Sequence, residues 1–543
     1  MKLRPPARAV TLVGFMGSGK SATGAWLARD LGLPLIETDD LIEAAAGKSI
    51  ARVFAEDGEP AFRDLETAAI RAAAQTEGAV ISTGGGAVLR PENLEALAAA
   101  GPVIWLQVSP DTVFARTAGS DRPLLQVADA RAEIERLLTQ REPAYARADV
   151  AVPTDGLSPA EAGQRVRLAL AQEERAAYLL GEPVRVPVPL SAGGYEVHVG
   201  AGLLAALGAV VPPPAAGARA AVIADAAVLE TYAATAVAAL TAGGWDVTLH
   251  VVPSGEASKQ LALAGALCAE LAQAGHDRGS WVFAVGGGVT TDLGGFVAAI
   301  FMRGVPLVTV PTTLLAQVDA AVGGKVAVNL PQGKNLAGAF HQPRAVVAEV
   351  TALSTLPEAE WAEGLAEVIK HATLADREMF EYLESHLADV RGGQARSLQY
   401  VVARNCQIKA EVVARDPEER DWRAVLNFGH TIGHALELAA ADWGLGHGAA
   451  VALGMLAEPR WAEARGLTPA GTAQRIAALL AQAGLPCVAA GVDLDRARQA
   501  LHTDKKLRSG KLALPVLTAL GEVRLEPGVS VADLEPALNL VGP

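Results

Sequence analysis

The chain has 543 residues, which is too long for one hydrophobic core and predicts three or four domains. Hydrophobic residues make up 51% and charged residues 20%, a balance typical of globular proteins rather than disordered chains. The net charge of −14 argues against broad nucleic-acid binding, and no apolar run reaches the 18 residues that a membrane span requires.

The cysteines indicate the expected compartment. They are far apart and lack the spacing of metal ligands: Cys268, Cys406 and Cys487. We therefore expect free thiols in a reducing cytoplasm. The basic N-terminus is similar to the start of a signal peptide, but the apolar stretch after it leads directly into a glycine-rich loop. We expect no cleavage there.

That loop is the first functional motif. Residues 14–21 fit the pattern GxxxxGK[ST] at every fixed position, between a predicted strand at Ala9–Val13 and a predicted helix at 21–31. Its backbone N–H groups can surround phosphate oxygens, Lys20 can reach the β- and γ-phosphates, and Ser21 can bind Mg²⁺. The alternative, an ordinary strand-to-helix turn, is disfavoured by the complete match. The predicted ATP-binding residues are Gly17, Ser18, Gly19, Lys20, Ser21 and Ala22.

The first module continues to residue 172 as an alternation of strands and helices. Further strands are predicted at 33–36, Ala79–Ser82 and 103–108, and a last helix at 159–174. This pattern is typical of a three-layer α/β domain. Glycine and proline then predict a linker over residues 173–185.

Four features of the first module point to the phosphate acceptor. Asp39 follows the second strand, Arg63 lies on a helical segment, a glycine triplet at 84–86 follows the third strand, and Arg122 and Arg141 come later. Each feature alone has a purely structural explanation, because surface arginines are usually solvated and glycine triplets often form turns. Together and in this order, they resemble shikimate kinase over residues 1–172.

The resemblance implies that Asp39, Arg63, Gly85 and Arg141 bind shikimate and that Arg122 contacts ATP. Arginines suit the shikimate carboxylate, and Asp39 would orient the attacking hydroxyl. One departure is Glu37, where the family usually has aspartate, so its role near Mg²⁺ stays open. A kinase for gluconate or a nucleoside monophosphate is the alternative.

The second module begins as another α/β region. Strands are predicted at 220–224, Asp246–Val252, 281–285 and 307–310, after which residues 355–510 show mostly helical patterns. We predict a Rossmann-like α/β domain at 186–345, followed by an α-helical domain at 346–543.

Metal-ligand residues occur in the helical domain. His430 and His434 are four residues apart on one predicted helical face, and His447 follows in a Gly-His-Gly loop. Upstream, Glu367 and Lys370 are three apart and share a face. Two imidazoles and a carboxylate with a fourth position open form a common catalytic zinc site. The alternative is that these histidines only pack or cap a helix.

Groups suited to a dinucleotide occur at predicted strand ends. A glycine triplet at 286–288 follows a strand, with Asp292 nearby, and 254–259 and 311–313 add hydroxyls, a carboxylate and a lysine. These groups suit ribose hydroxyls and a pyrophosphate, although the triplet is not GxGxxG and is weak evidence alone.

From residue 186 onward, the series of motifs closely resembles 3-dehydroquinate synthase. It comprises Ser254–Lys259, Gly286–Phe296, 302–304, Pro311–Lys325, 333–335, Ala366–Lys370, Asn427–His434, 447–448 and 504–506. The resemblance implies Zn²⁺ or Co²⁺ bound by Glu367, His430 and His447. It implies NAD contacts at Asp225, Ser254, Gly255, Glu256, Ala257, Ser258, Lys259, Gly287, Gly288, Val289, Thr290, Thr291, Asp292, Thr312, Thr313, Lys325, Lys334 and Thr355.

The same resemblance implies a heptulosonate phosphate substrate. Its predicted substrate or catalytic residues are Arg303, Asp319, Lys325, Lys334, Asn335, Lys370, Lys409, Arg423, Asn427, His434 and Lys506. Lysines and arginines suit the carboxylate and phosphate of this substrate. NAD would be regenerated within each turnover. Ala320, Ala321 and Trp422 depart from the family at positions outside the implied ligands.

Two rival readings remain at this point. A polyol dehydrogenase fused to a small-molecule kinase would share the glycine triplet and metal domain, but it acts on uncharged alcohols and gives no reason for the basic residues. The non-enzymatic alternative is that one half of the chain is inactive and serves only as a scaffold for the other half. We predict a bifunctional, cytoplasmic enzyme of the shikimate pathway and aromatic amino acid biosynthesis. It would bind no nucleic acid or membrane, and the second module could form a homodimer.

Overall fold

The computed structural model describes residues 7–76, 78–117, 127, 129–172, 181–191, 193–418, 421–440, 445–502 and 511–542. The chain divides into two compact units, Arg4–Glu182 and Pro183–Pro543. Among the described residues, no helix combines the length and apolar character needed to cross a membrane.

The first unit is built on a parallel sheet. Its strands are β1 (Ala9–Val13), β2 (Leu35–Glu37), β3 (Ala79–Ser82), β4 (Val103–Gln107) and β5 (Val150–Pro153). They lie in the order β2-β3-β1-β4-β5 and all pair in parallel. Every residue of β1 is buried because it is central and covered on both faces. The carboxyl end of β1 leads into the phosphate-binding motif. That motif therefore lies at the edge of the sheet where α/β domains bind ligands.

Helices cover both faces of this sheet. They are α1 (Lys20–Leu31), α2 (Thr38–Ala46), α3 (Ile50–Glu56), α4 (Gly58–Ala74), α5 (Pro91–Ala100), α6 (Pro110–Thr117), α7 (Ala130–Tyr145) and α8 (Pro159–Gln172). Core residues on the two faces form separate clusters, one around Phe15 and Tyr145 and the other around Leu27 and Val166. The domain is a three-layer α/β structure.

Several predicted boundaries in this unit are wrong by one or two residues. The second strand begins at Leu35 rather than 33, because the Leu33 N–H donates to the Ala28 carbonyl and ends α1. The fourth strand ends at Gln107, and β5 was not predicted. Strand β5 is a short edge strand with exposed Ala151 and Pro153, so its apolar pattern is weak.

The second unit contains a seven-stranded sheet and a hairpin. Their strands are β6 (Val184–Val188), β7 (Tyr195–Gly200), β8 (Arg219–Asp225), β9 (Asp246–Val252), β10 (Trp281–Gly286), β11 (Leu307–Pro311), β12 (Lys325–Leu330), β13 (Gly333–Phe340) and β14 (Ala345–Glu349). The sheet order is β6-β7-β14-β11-β10-β8-β9, and β12 pairs with β13 in the antiparallel hairpin. Only β6 pairs antiparallel within the sheet.

Strand β6 corrects the predicted linker, which extended to residue 185. Val184 and Arg185 already belong to this strand. Strand β6 contains Pro187, which has no backbone N–H to donate. Because β6 is an edge strand, this missing donor does not interrupt the hydrogen bonds in the interior of the sheet. The predicted strands at 220–224, 281–285 and 307–310 are present and are each one residue longer at their carboxyl ends.

Helices pack on this sheet and form the rest of the unit. They are α9 (Leu207–Val210), α10 (Ala234–Ala242), α11 (Leu261–Gln273), α12 (Gly288–Ile300), α13 (Glu358–Ala375), α14 (Arg377–Arg391), α15 (Ala395–Arg415), α16 (His430–Ala439), α17 (His447–Glu463), α18 (Thr472–Gln482), α19 (Leu494–Leu501) and α20 (Val531–Asn539). The predicted α/β fold class, a Rossmann-like part followed by a helical part, is confirmed. An antiparallel hairpin near the C-terminus, β15 (Lys511–Ala519) and β16 (Glu522–Ser530), was not predicted.

Candidate active sites

The phosphate-binding loop of the first unit connects β1 to α1. Gly17 and Gly19 have φ of 77° and 89°, the left-handed region that side chains disfavour. The Lys20 ammonium donates to the carbonyl oxygens of Gly14 at 2.9 Å and Phe15 at 3.0 Å. The lysine is thus folded over its own loop, while Ser21 and Ala22 are exposed on the first turn of α1. This geometry can present backbone N–H groups and an ammonium to phosphate oxygens.

Beside this loop lies a cavity of about 230 Å³. Its lining combines charged and aromatic side chains with the glycine triplet: Met16, Asp39, Ile50, Ala51, Phe54, Phe62, Arg63, Glu66, Gly84, Gly85, Gly86 and Arg141. The four predicted shikimate-binding residues are therefore brought together. Two guanidinium groups and two carboxyl groups in a partly apolar pocket suit a small anion with hydroxyl groups.

Arg63 is held in this pocket by two acidic side chains. Its Nη1 donates to Glu66 at 2.7 Å and its Nη2 to Glu59 at 3.0 Å. A side chain at Gly86 would contact the Arg63 guanidinium, so a larger residue there would displace Arg63 from this position. Glu66 is almost fully buried, and our sequence analysis missed it because a lone glutamate on a helix carries no signal.

Arg141 and Tyr145 converge on the glycine triplet from α7. The Arg141 Nη1 donates to the Gly85 carbonyl at 3.2 Å, and its guanidinium lies 5.5 Å from the centroid of the Phe15 ring. The Tyr145 hydroxyl donates to the same carbonyl, and burial raises the pKa of Tyr145 to about 12. Tyr145 therefore remains a neutral donor that fixes this segment.

Asp39 is one of the two acidic residues that line the cavity, and Glu66, which is paired with Arg63, is the other. It lies in the first turn of α2 and remains accessible to solvent. Partial desolvation by the surrounding protein raises the pKa of the Asp39 carboxyl, against the opposing charge of Lys20. A carboxylate with a raised pKa is a better proton acceptor than an ordinary aspartate.

Two further arginines of the first unit, Arg122 and Arg116, concern the phosphate-binding loop. Arg122 lies outside the described residues. Arg116, which the sequence analysis did not single out, donates from Nη1 to the Gly17 carbonyl at 3.1 Å. It therefore contacts the phosphate-binding loop, and only tertiary structure reveals this contact.

In the second unit, three predicted metal ligands converge. The Glu367 Oε1 lies 3.6 Å from the Nε2 of His430 and 3.9 Å from the Nε2 of His447. Glu367 is almost fully buried, and within the described structure neither of its carboxylate oxygens accepts a hydrogen bond, although the Lys370 ammonium forms an ion pair with Oε2. Such a buried carboxylate facing two imidazole nitrogens fits a divalent cation of the zinc or cobalt type.

The outer nitrogens of both histidines have acceptors. His430 Nδ1 lies 3.2 Å from the Phe428 carbonyl oxygen, and His447 Nδ1 lies 3.3 Å from Glu437 Oε2. Because both partners accept, Nδ1 carries the proton in the neutral form of each imidazole, and the Nε2 lone pair is then available on the side of Glu367. This arrangement is usual around histidine metal ligands. His447 is the first residue of α17 rather than part of a loop, which corrects the prediction.

Glycine packing brings the two histidine helices together. A side chain at Gly454 in α17 would overlap the Gly429 carbonyl oxygen, and one at Gly433 would meet the Ala450 carbonyl. The buried Glu458 of α17 accepts the N–H of Gly429 at 2.8 Å and so caps the start of α16. His430, at that start, is thereby fixed opposite His447.

The predicted NAD residues lie where parallel strands of the sheet end. Gly286 ends β10, and α12 begins at Gly288, so its first N–H groups face this edge. Asp225 ends β8 and accepts hydrogen bonds from the hydroxyls of Ser254 and Thr290. A carboxylate flanked by hydroxyls at a strand end suits ribose binding.

Other predicted NAD residues surround this edge. Lys259 Nζ and Asp292 Oδ2 form an ion pair of 2.5 Å. Glu256 accepts from Asn329 Nδ2 at 2.6 Å, which ties the 254–259 segment to the β12–β13 hairpin. Thr355, farther along the chain, is hydrogen-bonded to the Tyr232 hydroxyl at 2.8 Å.

A cavity of about 640 Å³ lies between the sheet, the hairpin and the helical part of this unit. It is lined by Asp292, Asp319, Ala320, Val322, Lys325, Val326, Ala327, Asn335, Leu336, Gly338, Ala339, Phe340, Lys409 and Arg423. Five predicted substrate residues are among them, and three of these five are cationic. The cavity therefore has room and positive charge for a phosphorylated sugar acid.

Asp319 and Lys409 form a close ion pair in this cavity, with Lys409 Nζ 2.5 Å from Asp319 Oδ1. Burial alone raises the pKa of Asp319, but the Lys409 and Lys370 ammonium groups outweigh it and hold the pKa well below its usual value. Burial lowers the pKa of Lys409, against the opposing charge of Asp319. Asp319 is thus a permanent anion that anchors Lys409.

Arg423 and Tyr195 fix the turn that carries Lys325. Arg423 Nη1 lies 3.5 Å from the Gly323 carbonyl oxygen and donates to the Pro417 carbonyl at 3.1 Å. The Gly323 N–H donates to the buried Tyr195 hydroxyl at 2.9 Å. The sequence analysis missed Tyr195, since it lies 128 positions away on β7.

Five other predicted substrate residues with described positions are not among the lining residues: Arg303, Lys334, Lys370, Asn427 and His434. Arg303 follows the carboxyl end of α12, whereas Gly288 and Asp292 lie about 18 Å and about 12 Å before that end along the helix. Lys506 lies outside the described residues. Asn427 ends a 3₁₀ turn directly before His430, and His434 lies one turn beyond it, with its ring centroid 5.2 Å from that of His430.

Comparisons with known proteins agree with both halves. Residues 16–171 match the shikimate kinase family, residues 249–363 the N-terminal and residues 364–507 the C-terminal part of 3-dehydroquinate synthase. The 3-dehydroquinate synthase of Symbiobacterium thermophilum is 47% identical over 339 residues, 62% of this chain and 94% of that protein. That of Pelobacter propionicus is 46% identical over 60% of this chain and 90% of that protein.

A solved structure shares the fold of the second unit. A 2-deoxy-scyllo-inosose synthase, complexed with carbaglucose-6-phosphate, NAD⁺ and Co²⁺, has a TM-score of 0.59 and 26% identity, covering 65% of this chain and 99% of that one. With a shikimate kinase domain at its N-terminal side, the chain belongs to the 3-dehydroquinate synthase family.

Proposed function

We propose that the chain catalyses two separate reactions of the shikimate pathway. The first unit would transfer the γ-phosphoryl group of ATP, bound with Mg²⁺, to shikimate and give shikimate 3-phosphate. The second would convert 3-deoxy-D-arabino-heptulosonate 7-phosphate to 3-dehydroquinate and phosphate. Both enzyme classes follow from the matched families, and the specific reactions and residue roles are our proposal.

In the kinase reaction, Arg63 and Arg141 would hold the shikimate carboxylate by charge-assisted hydrogen bonds. Asp39 would accept the proton of the attacking hydroxyl, a role that its raised pKa supports. Lys20 would leave its carbonyl acceptors on the loop and pair with phosphate oxygens, and Ser21 would bind Mg²⁺. The observation that carries this proposal is the convergence of Asp39, Arg63 and Arg141 on one cavity beside the loop.

In the synthase reaction, Glu367, His430 and His447 would hold a divalent cation, and the glycine-rich edge beside α12 would hold NAD. When bound, NAD removes and returns a hydride and the cation polarises a substrate hydroxyl. Lys325, Lys409 and Arg423 would bind the anionic groups of the substrate, and Asn335 would donate to its oxygens. The carrying observation is the buried Glu367 carboxylate, whose Oε1 accepts no hydrogen bond among the described residues and faces two Nε2 atoms.

The remaining roles concern protons and orientation. His434 lies beside His430 and His447, so it could move a proton at the hydroxyl nearest the cation. Lys370 is buried against Glu367 and would hold its charge in place. Arg122 and Lys506 remain predictions for ATP and for the heptulosonate phosphate, as do the homodimer and the cytoplasmic location.

A metal-dependent polyol dehydrogenase is a weaker reading of the second unit. The cationic lining of its cavity, Lys325, Lys409 and Arg423, has no purpose toward an uncharged alcohol. The two readings differ in net redox change, because NAD is regenerated only in the synthase reaction.

The experiment assays the purified chain with each substrate separately. We expect release of phosphate from the heptulosonate phosphate in the presence of NAD⁺ and Zn²⁺ or Co²⁺, without accumulation of NADH, and ADP formation from ATP that requires shikimate and Mg²⁺. Stoichiometric NADH, or NADH formation from glycerol, would contradict the synthase proposal. ADP formation with gluconate or a nucleoside monophosphate but not with shikimate would contradict the kinase proposal.

A further inference from the structure

A third acidic group lies on the helix that carries His430. Glu437 is seven residues after His430 and three after His434 in α16, so the three side chains share one face of the helix. Its side chain is 26% exposed, and neither the motifs nor the resemblance assigned it a role.

One carboxylate oxygen of Glu437 is bound to a metal-ligand histidine. Glu437 Oε2 lies 3.3 Å from His447 Nδ1. An ionised carboxylate can only accept, so this contact fixes the imidazole tautomer that has its lone pair on Nε2. That Nε2 lies 3.9 Å from Glu367 Oε1, on the side where the cation would bind.

The other oxygen faces a different part of the unit. Glu437 Oε1 lies 3.6 Å from Lys334 Nζ. Lys334 is the second residue of β13, whose hairpin with β12 also carries Lys325 and Asn335 in the lining of the 640 Å³ cavity. Glu437 therefore touches the helical part with one oxygen and the hairpin of the Rossmann-like part with the other.

We propose that Glu437 is a positioning residue that orients His447 toward the cation and holds the hairpin lysine, Lys334, beside the substrate cavity. The part of this inference that concerns Lys334 and the substrate rests on the proposed synthase function. The part that concerns His447 and the cation does not. The two oxygens make the two tasks separable, because a neutral acceptor can still fix the His447 tautomer, whereas only a negative charge attracts the Lys334 ammonium.

The test compares five variants of the full chain: Glu437→Gln, Glu437→Ala, Lys334→Met, the double variant Glu437→Gln with Lys334→Met, and the control Glu463→Gln. Glu463 is a carboxylate on the far end of α17 that accepts the Ala473 N–H and contacts no proposed ligand. The first readout is the Zn²⁺ dissociation constant, measured by competition with a chromogenic chelator in the absence of substrate. The second is the KM for the heptulosonate phosphate, measured at saturating Zn²⁺.

For Zn²⁺, we expect Glu437→Ala to weaken binding about 10- to 100-fold. Glu437→Gln, which keeps an acceptor, should weaken it by less than Glu437→Ala does, and Lys334→Met and Glu463→Gln should leave it unchanged. If folded Glu437→Ala binds Zn²⁺ within twofold of the unaltered chain, the proposal that Glu437 orients His447 toward the cation is wrong. Equal loss in Glu437→Gln and Glu437→Ala would overturn the tautomer argument.

For the substrate, we expect Glu437→Gln and Lys334→Met each to raise KM, and the double variant to raise it no more than the larger single effect. Effects that multiply would show that the two side chains act independently and would overturn the part that concerns Lys334. Should the unaltered chain not turn over this substrate, the proposed function fails, while the Zn²⁺ constants still decide the part that concerns His447 and the cation.

Discussion

The two units form their candidate sites in different ways, one from a contiguous loop and the other from residues of separate helices. In the kinase unit, one contiguous loop of eight residues supplies the phosphate-binding backbone, the lysine and the hydroxyl, with φ angles that glycine allows. In the synthase unit, the proposed metal site combines Glu367 of α13, His430 of α16 and His447 of α17. A contiguous motif can be recognised from sequence pattern, whereas a converging cluster depends on how helices pack. Variants should therefore affect the two sites independently and through different causes.

The largest expected effect comes from removing a metal ligand. His430→Ala takes away one imidazole from the cluster and exposes the buried Glu367 charge without its partner. We expect Zn²⁺ content to fall and synthase activity to drop by about 10³-fold or more, since the cation supplies several kcal/mol of charge stabilisation. Kinase activity of the same sample should not change.

The matched control for this variant is His502→Ala, which removes an exposed histidine of the same unit that pairs with Glu535. It should retain both zinc and activity. Full synthase activity in zinc-free His430→Ala would contradict the assignment of the cluster.

The second prediction concerns the loop lysine. Lys20→Met keeps the length of the side chain but removes the ammonium that folds over the loop. We expect the kinase kcat to fall by about 10²- to 10³-fold, as for loss of one transition-state donor. Measurement of both activities on one preparation checks independence, and a parallel loss of synthase activity would show that the units are coupled.

The comparison also shows how much the sequence could predict. The motif GxxxxGK[ST] is a fixed pattern and the His430–His434 spacing is a helical one, so the loop and the helix that carries the two histidines were predictable. The choice of Glu367, His430 and His447 as the metal ligands came from the family resemblance and stays a prediction. Glu66, Arg116 and Tyr195 were not, because each acts through a residue that is distant in sequence or through a backbone group. Edge strands β5 and β6 have weak patterns that proline interrupts, which explains the missed strand and the linker that ended too late.

A third prediction tests the glycine contact that positions the histidine helices. Gly454→Ala places a methyl group against the Gly429 carbonyl. We expect the synthase unit to lose about 1–3 kcal/mol of unfolding free energy, together with weaker Zn²⁺ binding, because α16 and α17 must separate. Denaturant unfolding followed by circular dichroism, with zinc titration, measures both.

Gly265→Ala is the control for that substitution. Gly265 lies inside α11 with open space where its side chain would project. Alanine there should stabilise the unit by about 0.5–1 kcal/mol, since it lowers the entropy cost of forming the helix. Equal destabilisation by both substitutions would contradict the packing argument.

The smallest expected effect is a shift in pH dependence. Desolvation raises the pKa of Asp39 above the ordinary value of 3.8, and its ionised form would accept the substrate proton. Kinase kcat/KM should therefore fall as the pH drops through this raised pKa, at a higher pH than an ordinary aspartate would give. A pH profile of the kinase reaction measures this limb, and Asp39→Asn should remove most of the activity at every pH. An acidic limb near pH 3.8 would contradict the proposed role.

The central claim is that Glu367, His430 and His447 hold one divalent cation. X-ray absorption spectroscopy of the zinc-loaded chain tests it directly. We predict two imidazole nitrogens at about 2.0–2.1 Å and at least one carboxylate oxygen at about 2.0–2.2 Å from the metal. A sulfur ligand, or a shell of oxygen atoms without imidazole, would contradict the account.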